Sequence, residues 1–274
     1  MTKQFRFFNT LNFDTALGAV AIASFVSFVS GHPVVWSSYV ALLLSVLAIY
    51  NFDHLIDALM LKEDALTFRH SFYQRHFIAL IYWQLFLVIS GAVMVMFLPA
   101  QVLLAGIGMI FLMSIYFWLI LKALKNNLIY REIFVALGYT MAVSIVPVFS
   151  TSIFTPRLFG VVTIIFLIAL SNLWVFAIYE LEIDNTEHRH SIAKSISKRG
   201  FRNLTRVLIF VTVALIGVFS FYFSFWFAGG LLLIVELTYL VLLEGKNKLI
   251  KKEYYRLIGE GILILPGLAA LINV

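Results

Sequence analysis

Cysteine is absent from this 274-residue chain, which excludes disulfides, thiolate nucleophiles and cysteine-ligated metals. Charge is scarce too: Asp, Glu, Lys and Arg make up 12% of the residues, against about a quarter in soluble domains. Proline is rare, and Pro147 and Pro266 fall inside apolar runs, where they predict kinks rather than ends because neighbouring helices satisfy the freed carbonyls. What fills the chain is 62% apolar residues and 16% aromatics, with a mean hydropathy of +0.98. That balance excludes a soluble globular domain and identifies an integral membrane protein. A net charge of +6 does not by itself imply nucleic acid, since in such a chain the placement of basic residues follows topology. The N-terminus, MTKQFRFFNTLNFD, is too polar and aromatic for a signal-peptide core and is expected to be retained.

A membrane-spanning helix needs roughly 20 mostly apolar residues. On that rule spans are predicted near 13–30, 35–57, 77–97, 100–120, 131–150, 157–181, 205–223, 226–243 and 256–273. The break inside 205–243 is forced by length and is expected near Ser224–Gly230. Threaded this way, nineteen of the twenty Lys and Arg residues fall on one side and only Arg157 on the other. Cytoplasmic loops are enriched in these residues, so the pattern predicts an all-α bundle of nine transmembrane helices with the N-terminus cytoplasmic and the C-terminus outside. No soluble domain or linker interrupts residues 1–274, which read as a single domain.

Two acidic stretches carry the chemistry: Asn51–Asp57, NFDHLID, and Glu180–Glu187, ELEIDNTE. In each, two acids stand four residues apart, Asp53/Asp57 and Glu180/Asp184, so each pair projects from one helix face. Both lie near the cytoplasmic ends of their spans, where the helix dipole disfavours negative charge unless a cation answers it. Four carboxylates at one depth suit Mg²⁺, which takes one or two carboxylates together with substrate phosphates. Asn51 precedes Asp53 by two residues, about 200° around the helix, and points away from that face.

These residues resemble the UbiA-type intramembrane prenyltransferases, a nine-helix family with one aspartate-rich motif at the end of helix two and another at the end of helix six. Asp53-His-Leu-Ile-Asp57 matches the aspartates of the first motif, and Ala58 fits its style; Ile49 stands where the family has asparagine. Glu180-Leu-Glu-Ile-Asp184, followed by Ser191-Ile-Ala193, is similar to the second, with Glu180 replacing an aspartate and His188 a common glycine. Tyr116, Lys122 and Lys125 look like the family's tyrosine and basic pair between helices four and five. The resemblance implies a Mg²⁺-dependent enzyme that binds an isoprenyl diphosphate and transfers its prenyl group to a hydrophobic acceptor in the membrane. Asp53, Asp57, Glu180 and Asp184 are then the metal ligands, and the site faces the cytoplasm.

Lys122 and Lys125, with Lys62 and Arg69 after the first motif, are placed to grip a diphosphate, although topology alone also puts basic residues there. The run Lys194–Arg206 suits anionic lipid headgroups. Glu236 lies within a span, where an ionisable residue is a functional candidate or a hydrogen-bonded structural group facing Asn172. Glu260 has Arg256 at i−4 and the cytoplasmic boundary nearby. The alternative to an enzyme is a transporter or non-catalytic membrane protein of the same fold, for which Glu236 is the candidate coupling residue.

Overall fold

A computed structural model of the chain describes residues 3–60, 67–122, 131–149, 155–186, 197–245 and 254–272. Among these residues no strand occurs. The elements are α1 (Lys3–Thr10), α2 (Phe13–Ser30), α3 (Trp36–Met60), α4 (Phe68–Arg75), α5 (Phe77–Val95), α6 (Ala100–Lys122), α7 (Arg131–Phe149), α8 (Pro156–Thr186), α9 (Lys198–Phe223), α10 (Trp226–Glu244) and α11 (Tyr254–Gly261), then a 3₁₀ segment (Ile262–Gly267) and α12 (Leu268–Ile272). Among the described residues seven segments are long and apolar enough to cross a membrane: α2, α3, α5, α8 through Leu181, α9, α10 and the composite Tyr254–Ile272. Shorter apolar stretches, Ala100–Ile115 and Glu132–Ile145, lie within α6 and α7. The chain is an all-helical multi-pass membrane protein.

α2 is the central helix, contacting α3, α7, α8 and the C-terminal segment. Its Ala16, Ala19, Ala23 and Val26 repeat at helical spacing and are fully buried, so small side chains let the neighbouring helices close on it. At Gly267 a Cβ would stand 2.8 Å from the Cβ of Ala21, which ties the C-terminal segment against α2. Pro266 lies in the 3₁₀ segment that interrupts this last span, as the lost amide hydrogen requires. Pro147 sits only two residues from the end of α7.

The break between α9 and α10 falls at Ser224, which adopts a left-handed conformation (φ 57°) while its amide donates to the carbonyl of Ser220. Gly229 and Gly230, expected near the turn, are instead inside α10. A Cβ on Gly229 would lie 1.8 Å from Ser220 Oγ, so this glycine serves helix packing rather than chain reversal. Two short helices escape the hydropathy pattern altogether: α1, and α4 within the connection 58–76.

Candidate functional site

The face of α3 that carries the first acidic pair reads Val46, Ile49, Tyr50, Asp53, His54, Asp57, all lining one cavity of about 270 Å³. The spacing is that of a single helical stripe. α8 presents a matching stripe, Ala169, Asn172, Leu173, Phe176, Ala177 and Glu180, to the same cavity. Asp53, Asp57 and Glu180 therefore line one space. From Val46 to Asp57 the wall of α3 rises about 16 Å. Its inner end is apolar, with Met113 of α6 and Val135 and Ala142 of α7, while its outer end is charged.

Among the described residues five carboxylates line the cavity, Asp53, Asp57, Glu132, Glu180 and Glu260, against two guanidiniums, Arg69 and Arg256. The formal charge of these residues is negative, which repels a bare diphosphate and attracts divalent cations. The carboxylate oxygens are suitable Mg²⁺ ligands. They are not equally available, however. Glu180 Oε1 accepts from Arg256 Nη2 at 2.5 Å and from Tyr255 Oη at 3.1 Å, so the C-terminal end of α8 already has its compensating cation. That cation comes from the last span.

Arg256 therefore answers Glu180, while Glu260, for which the sequence offers water or Arg256 at i−4, has Arg69 and Asn9 against it. Glu260 is buried and lies 3.6 Å from Arg69 Nη2, with Asn9 Nδ2 donating to its Oε2 at 2.9 Å. The same Asn9 amide also bonds Asp14, so α1, α2, α4 and α11 are tied through one buried polar cluster. Arg69, expected as a loop cation, is only 4% exposed; its Nη2 also donates to Asn9 O and Oδ1, each at 3.2 Å. A buried guanidinium needs this many acceptors, and Asn9 of α1 and Glu260 of α11 provide them.

Asn51 faces the other way, as its position around the helix predicts. Its Nδ2 donates to Gln84 Oε1 at 2.8 Å and Leu80 O at 3.3 Å, and its Oδ1 accepts from Tyr73 Oη at 3.1 Å. It thereby fastens α3 to α5 and α4. Burial pushes the Tyr73 phenol up from its ordinary value, so it remains a neutral donor to Asn51.

Glu236 is fully buried and accepts from Ser171 Oγ at 2.6 Å, while the neighbouring Asn172 donates to Tyr239 Oη and to Gly259 O, each at 2.9 Å. The partner is thus Ser171 in place of Asn172, and among the described residues Glu236 is not part of the cavity wall. Lys62 and Lys125 lie outside the described residues, as do His188 and His190. Tyr116, Lys122 and Asp184 belong to described helices, but their side chains lie outside the description.

Sequence reasoning missed His70, Arg256 and Glu132 as cavity residues. For Arg256 a signal existed: Arg256, Glu260 and Leu263 share one helical face, marking a polar strip on an otherwise apolar span. His70 had none, because α4 is short and polar. Comparison with protein-family models, with curated proteins and with solved structures gives no match.

Proposed function

We infer that this protein is an intramembrane prenyltransferase that uses Mg²⁺ to bind an isoprenyl diphosphate and transfers the prenyl group to a hydrophobic acceptor. The observation that carries the reading is the convergence of Asp53 and Asp57 from α3 with Glu180 from α8 on one cavity whose inner end is apolar. Such a cavity suits a substrate with a charged head and a hydrocarbon tail. In the same reading the bundle crosses the membrane nine times, with the N-terminus and the charged mouth cytoplasmic, and residues 1–274 form one domain.

The residues divide the work by their chemistry. Mg²⁺, when bound, neutralises the diphosphate and assists its departure as the leaving group. Asp53 and Asp57 would be the principal oxygen donors; Asp184 is assigned with them from its sequence position, and Glu180 would contribute the oxygen that Arg256 does not hold. Lys62, Lys122 and Lys125, with Arg69, supply positive charge to the phosphate oxygens, and Tyr116 is assigned to substrate binding. The apolar walls exclude water from the allylic carbon as charge develops there.

The test is turnover of isoprenyl diphosphates with membrane extracts as acceptor source, read as diphosphate release and prenylated lipid. Asp53→Asn and Asp184→Asn are each expected to lower turnover by about 100-fold or more while the protein stays folded. Unchanged turnover in both would remove the metal assignment.

A further inference from the structure

Beside the acidic pair, α3 and α4 bring together a different donor set. His54 and Asp57 stand three residues apart on α3, on adjacent positions of one face, and His70 enters from α4. One ligand atom from each lies within 4.8 Å of those of the other two. His70 Nε2 is 3.8 Å from Asp57 Oδ2, a separation suited to two ligands of a common ion. All three side chains line the cavity, so solvent or substrate reaches the remaining coordination positions.

Thr67 orients the third ligand. Its Oγ1 accepts the backbone amide of His70 at 3.3 Å as the cap of α4 and lies 2.8 Å from His70 Nδ1. With Nδ1–H donating to Thr67, the Nε2 lone pair faces Asp57. This outer hydrogen bond is the usual support of a metal-binding imidazole.

The geometry points to a divalent-metal site formed by His54, Asp57 and His70, selective for a borderline ion of the Zn²⁺ or Co²⁺ class over Mg²⁺. Two imidazoles and a carboxylate suit such ions, whereas Mg²⁺ takes an all-oxygen shell. The proposal does not require the prenyl-transfer reading, but the two share Asp57, so ions at the two positions would compete for that carboxylate. A bound ion clasps α4 to the end of α3 and so fixes the segment that carries Arg69. One neighbour opposes it: Arg69 Nη1 donates to His54 Nε2 at 3.3 Å, so the guanidinium and the ion compete for this imidazole. Arg69 is anchored through Nη2 to Asn9, which leaves it a position when the ion enters.

The experiment is a Co²⁺ titration of the metal-stripped, full-length protein in detergent, read by the visible absorption of nitrogen-coordinated Co²⁺. Wild type is expected to show these bands, to lose them to Zn²⁺, and to keep them in hundredfold excess Mg²⁺. His54→Ala and His70→Gln should each weaken Co²⁺ binding by about 100-fold and Thr67→Ala by about tenfold, while His76→Ala leaves it unchanged. Monodispersity and a wild-type thermal transition establish that the variants are folded. Absence of bands in wild type, their survival in both histidine variants, or their loss to equimolar Mg²⁺ would overturn the site and leave a His70–Asp57 ion pair. Mg²⁺-dependent binding of an isoprenyl diphosphate, measured on the same protein without Co²⁺, judges the transfer reading separately.

Discussion

The ends of α3 and α8 look alike in sequence, each with two acids four residues apart, but their surroundings differ. On α8, Glu180 is held by Arg256 at 2.5 Å and by the Tyr255 hydroxyl, a partly buried ion pair with a second donor. On α3, Asp57 has the imidazole of His70 at 3.8 Å and the cavity before it. Equal spacing therefore conceals unequal readiness for a cation. A carboxylate already satisfied by a guanidinium gives up that contact to coordinate metal with both oxygens. We propose that metal binding rests mainly on the acids of α3, with α8 lining the far side of the cavity.

The largest effect expected from this asymmetry is in binding. Asp53→Asn should weaken Mg²⁺-dependent isoprenyl diphosphate binding by about 100-fold, and Glu180→Gln by about tenfold, as read by calorimetry in detergent. Equal losses would erase the distinction between the two ends.

Arg256→Met comes next. It leaves Glu180 without its cation at a site with side-chain exposures of 11% and 23%. The cost should be about 2–3 kcal/mol, below that of a fully buried broken pair, in equilibrium unfolding from mixed micelles. Adding Glu180→Gln should restore most of the loss, since the unpaired charge is then gone; no restoration would show that Arg256 acts through packing instead.

Asn51→Ala tests which residues of NFDHLID belong to the site. It removes the contacts to Gln84, Leu80 and Tyr73 and should cost about 1–3 kcal/mol of stability. Diphosphate affinity of the folded fraction should stay near that of wild type, because Asn51 faces away from the cavity. Tyr255→Phe is the mildest change: it deletes one of two donors to Glu180 and should cost about 1 kcal/mol.

Much of this was legible in the chain before any coordinates. Apolar runs locate most of the long helices, since a bilayer demands length and continuity, whereas α8 (Pro156–Thr186) and α9 (Lys198–Phe223) run on into polar sequence beyond the predicted 157–181 and 205–223. The four-residue spacing of Asp53 and Asp57 identifies the face that lines the cavity, and the same rule turns Asn51 away from it. What escaped depends on tertiary partners. The burial of Arg69 is intelligible only beside Asn9 and Glu260, which are far away in sequence but share its cluster. α4 is too short and polar to register as a hydropathy signal, yet it brings His70 to Asp57. Ser224 turns the chain with a left-handed backbone that a serine does not advertise, while Gly229, the residue that suggests a turn, instead lets α9 approach α10.

The central claim is that the acids of α3 and α8 serve one cation-dependent diphosphate site. The most direct measurement is binding of a radiolabelled isoprenyl diphosphate to the purified full-length protein with Mg²⁺ and with chelator. The account predicts saturable binding with Mg²⁺ that chelator abolishes and Asp53→Asn severely weakens. No binding with Mg²⁺, or binding indifferent to both chelator and Asp53, would contradict it.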